Sequence, residues 1–375
     1  SNTSYALGRS PILVPGIYSA NIPNPNLKWE STSSANIGVD LGLWNQRLSI
    51  TADYYSKKTS GLLLFVSLPI SSGYESILSN IGEVSNKGFE FSATSLNIDN
   101  ARFKWSTTIN FSTNKNKVLN LGPNKEILVG GLSGALFNGN AGASSILRPG
   151  EPIGSFYGYQ FDGIWQSTEQ IAQSGTLQDV NPGDPIYRDL DGDKQLSGGD
   201  RAIIGRALPK FIYGMTNNIS FGQFNINLFL QGVYGNSVLN ENLYELVNGT
   251  PGYNKLKFVG SDSWHGEGTG NTLPRVSSTL RNAIGVTSDV IEKGSFMRVK
   301  SLTISYNIPT SKFAKFFKSA NIYVTGQNLL TITNYSGYDP EVNSSTDDED
   351  SLTLGTDYNA YPNYRTFLMG VKFGF

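Results

Sequence analysis

The chain has 375 residues, a formal net charge of −1, 12% aromatic residues and only 16% charged ones, against roughly 25% in an ordinary soluble domain. The near-zero charge excludes a nucleic-acid-binding field, and the lack of cysteine excludes a disulfide scaffold and a thiolate metal site. No apolar run approaches the ~18 residues of a transmembrane helix (Leu62–Val66 is far too short), so any membrane span has to be built from strands in a closed barrel.

The opening residues, Ser1-Asn2-Thr3-Ser4-Tyr5, carry neither a basic stretch nor an apolar one, so a removed leader or a start upstream is expected. Asn36–Leu43 is a first, weak alternating segment. From Leu48 the pattern is clean: Leu48, Ile50, Ala52 and Tyr54 share one face, with Ser49, Thr51 and Asp53 on the other. Phe89, Phe91 and Ala93 alternate with Glu90, Ser92 and Thr94. Phe103, Trp105, Thr107, Ile109 and Phe111 alternate with Lys104, Ser106, Thr108, Asn110 and Ser112. Tyr213–Phe221 follows more weakly. Phe224, Ile226, Leu228 and Leu230 then stand against Asn225, Asn227 and Gln231, with Phe229 breaking the polar face. Phe296–Tyr306 and Ile322–Leu329 are weaker again, and Phe367, Met369, Val371, Phe373 and Phe375 close the chain against Thr366, Gly370, Lys372 and Gly374. Period two with one apolar and one polar face predicts about nine half-solvated strands, most near the ~9–11 residues of a tilted membrane strand.

Short and long connections alternate. Trp44–Arg47, Asn97–Asn100, Gly222-Gln223 and Pro309–Ser319 are tight or fairly short, whereas about 57–84, 114–210, 235–294 and 333–362 are long and mostly rich in Gly, Asn and Ser. Outer-membrane barrels sort their connections in this way, with short turns in the periplasm and long loops outside. The 114–210 stretch is too long to be structureless and is expected to hide another hairpin. A final strand that follows a long loop runs downward, and counting back makes the first strand run downward as well. An odd count of this kind predicts further strands before Ser1. The whole chain, 1–375, is therefore expected to be part of a larger antiparallel transmembrane β-barrel.

One constellation has ligand spacing. Asp189, Asp191, Asp193, Gln195 and Asp200 fall at places one, three, five, seven and twelve of a loop, the pattern in which Ca²⁺ takes oxygen ligands, with a backbone carbonyl at the seventh. Lys194 stands at the sixth place, where such loops use glycine, and Asp200 replaces the usual glutamate, as in dockerin-type loops. An acidic solvated loop stiffened by Asx turns is the alternative. Asp347-Asp348-Glu349-Asp350 suits a solvated loop tip, and His265 beside Ser263 has no companions that would make it catalytic. Tyr159, Trp165, Tyr244, Tyr253 and Trp264 are candidate contacts for a sugar ring or a partner protein, with interfacial girdles or rim packing as the bland alternative.

Several phrases resemble those of SusC/RagA-type TonB-dependent receptors. They are Asn24-Pro-Asn-Leu-Lys-Trp-Glu30, Thr51-Ala-Asp-Tyr-Tyr55, Ser72-Gly-Tyr74, Asn80-Ile-Gly82, Asn86-Lys-Gly-Phe-Glu90, Gly150-Glu-Pro-Ile-Gly-Ser-Phe-Tyr-Gly-Tyr159, Gln231-Gly232 and Gly326-Gln-Asn-Leu329. Their order covers nearly the whole chain. The resemblance implies the C-terminal part of a plugged barrel of about 22 strands in a Gram-negative outer membrane. It also implies a SusD-like lipoprotein lid, glycan or peptide cargo and import driven by TonB. Ca²⁺, from the spacing of the acidic loop and not from the resemblance, is the sole cofactor expectation. The plug and TonB box are then expected upstream. The alternating end of the chain, with Phe367, Phe373 and Phe375, resembles the assembly signal of outer-membrane barrels. Two rivals stay open: a barrel of the same build serving as adhesin or assembly platform, and a soluble secreted carbohydrate-binding β-sandwich. No nucleic-acid partner and no enzymatic activity are expected.

Overall fold

A computed structural model of the chain describes residues 3–6, 13–16, 22–67, 72, 74, 76–132, 143–247, 254–276, 284–309, 317–344 and 352–375. Its centre is one nine-stranded sheet in which every neighbour in the sheet is also the next sheet strand along the chain, and every pairing is antiparallel. The strands are β1 (Ser31–Leu43), β2 (Leu48–Ser67), β3 (Ser76–Asp99), β4 (Phe103–Leu121), β5 (Phe211–Phe221), β6 (Phe224–Tyr234), β7 (Phe296–Ile308), β8 (Ser319–Thr333) and β9 (Thr366–Gly374). Each alternating segment of the sequence is one of these strands.

One-residue bulges interrupt the β6–β7 and β7–β8 pairings near Lys300, but they insert the extra residue without turning the strands over, so the alternation of each strand adds up to two chemically opposite walls. Thr51, Ser92, Asn110, Gly214, Gln231, Arg298 and Thr331 form one row across β2 to β8. The adjacent row on the other face is Ile50, Ala93, Ile109, Met215, Leu230, Val299 and Leu330. No second sheet covers the apolar wall among the described residues, and Ile37, Val324, Ile332 and Met369 lie open on it. A sandwich would bury this face, so that alternative is excluded by the architecture.

Aromatic pairs mark two levels on the apolar wall. Phe103 meets Phe221, Phe224 meets Tyr306, and Phe317 meets Phe373 and Phe375 at the end with the short turns. Toward the other end Phe111 meets Phe211, which stacks on Tyr234 with centroids 4.9 Å apart. Phe211 and Phe221 bound an 11-residue strand. At ~3.4 Å per residue and a tilt of roughly 40° that strand climbs about 26 Å, which matches the ~25 Å apolar band of an outer-membrane barrel. The pairs are its two girdles.

The short turns rest on local chemistry. Trp44, Asn45 and Gln46 are all left-handed (φ 53°, 57° and 65°), and Asn100 Oδ1 accepts the N–H of Arg102 and Phe103 at 3.1 and 2.8 Å. The β7–β8 turn falls largely outside the described residues. The long loops differ from expectation. β2 and β3 stay paired up to Ser67 and Ser76, so the connection foreseen over 57–84 narrows to 68–75. Above the girdle neither face meets the acyl band and the alternation lapses, so the strand extension left no signature. The 114–210 stretch holds more than one hairpin: β4 runs on to Leu121, and Ile127–Val129, Ser145–Leu147, Ser155–Tyr159 and Arg201–Arg206 form a second, four-stranded sheet. Phe161–Ile164 pairs with Pro185–Tyr187 beside it.

The buried core lies in this extracellular layer. Phe156, Ala207, Leu239, Tyr244, Val286 and Val290, with Leu354 against them, draw three long loops into one cluster. A second cluster joins Leu64, Val84, Val118 and Leu121 at the strand tops to Val129 and Leu147. Val84 and Val118 share the face of Glu90 and Ser112, so the loops fold over the polar wall. That identifies the polar wall as the inside.

Candidate functional site

The luminal wall is built from hydroxyl and amide side chains at alternate positions of β1 to β9. Between β2 and β6 it forms a groove of about 440 Å³ lined by Thr51, Asp53, Glu90, Ser92, Asn110 and Gln231, among others. Asp53 and Glu90 are register partners, a juxtaposition of like charges that a wet lumen tolerates. Asp53 Oδ1 accepts from Asn36 Nδ2 at 3.3 Å, and Asp40 Oδ1 accepts from Thr51 at 2.7 Å. Tyr55 lies across Gly88, where a Cβ would meet its hydroxyl at 2.4 Å, so only glycine lets the ring lie flat against the wall.

The extracellular layer is held to this wall by charge as well as packing. Arg298 of β7 is 1% exposed. Its guanidinium donates to Asp339, to Glu341 at 2.8 Å and to Thr331 Oγ1 at 2.9 Å, and it lies against the Phe296 ring. Asp339 also accepts both N–H groups of Asn363. Burial works to raise the Asp339 carboxyl, but the Glu341 N–H, Arg298 and Asn363 together hold it below the ordinary carboxylate range. This latch ties the 334–365 loop to β7. Sequence reading missed it, because an arginine on a polar strand face carries no signal until its partners, 41 and 43 residues away, are known.

The acidic loop brings three of its carboxylates together. Asp189, Asp191 and Asp193 converge, each with a carboxylate oxygen within 4.8 Å of the others, and all three are exposed. Asp189 also accepts the N–H groups of Gly192 and Lys194 at 2.7 and 3.0 Å. Lys194 adopts φ 63°, so at the sixth place it takes the left-handed turn for which such loops use glycine. Asp200 is a correction. It is buried and caps the loop itself, accepting Leu190 N–H and Ser197 N–H at 2.8 Å each. Burial works to raise this carboxyl, but the N–H groups of Ser197, Leu190 and Asp191 outweigh it and hold it low. Gln195 follows the Asx pattern, its N–H on Asp193 Oδ1 at 2.8 Å.

The proposed contact aromatics divide. Tyr159, Trp165 and Tyr244 are buried within the extracellular layer and present no face to a sugar or a partner, so that expectation is corrected. Tyr159 packs against Tyr187 and Arg201, and the Tyr244 hydroxyl accepts the Thr287 N–H at 3.0 Å. Trp264 is half-buried with its Nε1 on Gln166 at 3.1 Å. Tyr253 and Asp347–Asp350 lie outside the described residues. His265 is exposed, and no serine hydroxyl among the described residues bonds its ring. Phe367, Phe373 and Phe375 stand open on the apolar wall.

The quoted phrases prove to be local structural devices. Asn24 binds Leu78 O, Asn80 binds Lys28 and Gly61, and Glu30 accepts Leu63 N–H, fastening the entry of β1 to the β2–β3 hairpin. Gly150 and Glu151 clip onto Val118 at 2.9 Å, and Phe156 enters the core. Gly326–Leu329 is a bulge in β8, with Asn328 left-handed at φ 52°.

A family model described as TonB dependent receptor-like, beta-barrel, matches residues 1–329. TonB-dependent receptor P3 of Formosa agariphila is 39% identical over 366 residues, covering 96% of this chain and 36% of that protein. TonB-dependent receptor SusC of Bacteroides thetaiotaomicron is 27% identical over 368 residues, covering 96% and 33%. The solved structure of the RagAB peptide transporter matches in fold with a TM-score of 0.76 at 24% identity, covering 99% of this chain and 38% of that one. The chain thus spans about a third of the length of the curated relatives it matches.

Proposed function

This chain belongs to the TonB dependent receptor-like β-barrel family and lies with it in the outer membrane of a Gram-negative bacterium, and from that premise we propose that it forms part of a SusC-type nutrient importer. The observation that carries the proposal is the largely polar wall in register across the sheet, roofed by an inward-folded extracellular layer. A wall of hydroxyls and amides offers exchangeable hydrogen bonds to glycan or peptide cargo without trapping it. The remaining strands, a plug and TonB complete the machine, and a SusD-like lipoprotein closes over the extracellular layer. The chain itself carries no catalytic chemistry in this proposal. Ca²⁺ on Asp189, Asp191 and Asp193 stiffens the outer loop, and the Phe317, Phe373 and Phe375 rings support an assembly role for β9.

The test is deletion of the full-length receptor in its host. Growth and uptake of a labelled oligosaccharide or oligopeptide pool are then measured, with Asp53→Asn/Glu90→Gln as a luminal variant. Loss of uptake on deletion, with a changed rate in the variant, is expected. Unchanged uptake with lost cell adhesion would replace the importer by the adhesin.

A further inference from the structure

Just above the outer girdle, the outward face of β2 to β4 changes from aromatic to basic. Tyr54, Phe89 and Thr113 form one row across these strands. In the next row Ser56 precedes Lys87 directly opposite Lys115, and in the row above that Lys58 and Lys117 flank Ser85. All four lysines are exposed, and no register shift separates them from Tyr54 and Phe89, so they keep the lipid-facing side. Lys58 lies ten residues up β2 from Leu48, about 26 Å at the rise and tilt of an outer-membrane strand, which is the top of the apolar band. The patch therefore sits at the headgroup level of the outer leaflet.

Lys58 is paired with Glu83 at 2.9 Å. Lys87, Lys115 and Lys117 have no carboxylate within 4.0 Å among the described residues. Like charges directly opposite in a sheet repel, so an external anion is the natural neutraliser. Neighbours in one row stand ~5 Å apart and neighbours two residues along a strand ~7 Å apart, so the three ammonium groups can converge on one or two phosphates.

We propose that Lys87, Lys115 and Lys117 bind the phosphate groups of an anionic outer-leaflet lipid whose acyl chains lie along the aromatic and aliphatic surface below. Tyr54 and Phe89, 48% and 40% exposed, receive the upper part of those chains. The site is separate from the lumen and shares with the transport proposal only the assignment of inside and outside. A bound lipid here would anchor the barrel at a fixed depth and cover the upward extension of β2 to β4.

The experiment uses the full-length receptor, delipidated in detergent, with lipid retention followed by native mass spectrometry. Diphosphoryl lipid A is the probe, phosphatidylcholine the uncharged control, and inorganic pyrophosphate the soluble source of the same chemistry. Each lysine near an anionic surface contributes about fivefold in binding, so Lys87→Gln/Lys115→Gln/Lys117→Gln should lower lipid A retention on the order of a hundredfold. Lys57→Gln, on the luminal face, should retain lipid like the unaltered receptor, and added salt should weaken retention as screening shortens. Should the triple variant not assemble, Lys87→Gln and Lys115→Gln singly are expected to lose about fivefold each. Equal retention by the substituted and unaltered receptors overturns the site. Pyrophosphate that binds as tightly as lipid A and displaces it overturns the lipid as its ligand.

Discussion

Leu230 tests the assignment of the two walls most directly. It faces outward on β6, six residues from Phe224 at the inner girdle and four from Tyr234 at the outer one. At ~2.6 Å of height per residue it lies within about 3 Å of the midplane. Its register partners are Met215 and Val299, which offer an introduced charge no hydrogen-bond partner. Leu228 is a milder site, because its partner Asn217 already holds Trp105 Nε1 and Thr107 Oγ1 at 3.1 and 2.8 Å. An arginine at a lipid-facing midplane position costs about 2–4 kcal/mol, a factor of roughly 30 to 1,000 in the folding equilibrium. Asn227, one residue from Leu228, faces the lumen and donates to Asn218 at 2.7 Å. Asn227→Arg forfeits one hydrogen bond in a wet channel, about 1 kcal/mol. The assay is refolding of the full-length receptor into phosphatidylcholine vesicles across a urea series, with heat-modifiability as the readout of closed barrel. Leu230→Arg should shift the midpoint well beyond Asn227→Arg, with Leu228→Arg between them. Equal shifts for Leu230→Arg and Asn227→Arg would mean that the apolar wall does not face lipid, and the orientation of the sheet would have to be abandoned.

Breaking the Arg298 latch leaves Asp339 buried without its main partner, at a cost of about 3–5 kcal/mol. Arg298→Met should therefore expose the 334–365 loop to protease, and Arg298→Met/Asp339→Asn should recover much of the protection. Unchanged cleavage in the single variant would reduce the latch to surface decoration. Because the Asp339 carboxyl is held low in the folded state, its contribution is full above the ordinary aspartate value and disappears as pH falls through the folded one. The same loop should loosen on acidification below about pH 4, followed by hydrogen exchange. For the acidic loop, calorimetric titration of Ca²⁺ into the receptor should give a signal that Asp191→Asn/Asp193→Asn abolishes, and a flat trace for the unaltered receptor would leave the loop metal-free. Lys194→Gly should tighten binding by removing a positive charge beside the ion while keeping the left-handed turn. Phe373→Ala/Phe375→Ala removes both rings that Phe317 packs against and should lower the level of heat-modifiable barrel in the outer membrane, an effect that undiminished levels would deny.

What the residues determine alone is whatever has a local cause. Period two is a property of the extended backbone, so Leu48–Tyr54 or Phe103–Ser112 announces both a strand and its two faces before any partner is known. Inside the membrane band each face meets one solvent over its whole length, and there the alternation holds with few exceptions, Phe229 and Asn217 among them. Turn chemistry is equally local: Asn100 and Gly222 mark their hairpins without help from the rest of the chain. The family phrases are legible for the same reason, since Asn80, Gly150 and Asn328 each solve a backbone problem within a few residues of a fixed partner strand.

Tertiary structure decided everything that depends on which loop meets which. Tyr159, Trp165 and Tyr244 look like exposed loop aromatics until the long loops pool their apolar residues into a common core and bury them. The spacing from Asp189 to Asp200 suggests one ligand set, yet the fold turns Asp200 inward to cap its own loop, where its two carboxylate oxygens accept the Leu190 and Ser197 N–H groups. Arg298 gained its meaning from carboxylates more than forty residues away. The same holds for Lys87 and Lys115, which are unremarkable apart and become a charged patch only when β3 and β4 set them side by side. Local periodicity reports the solvent on each side of a strand, while contact between distant segments is a property of the assembled sheet.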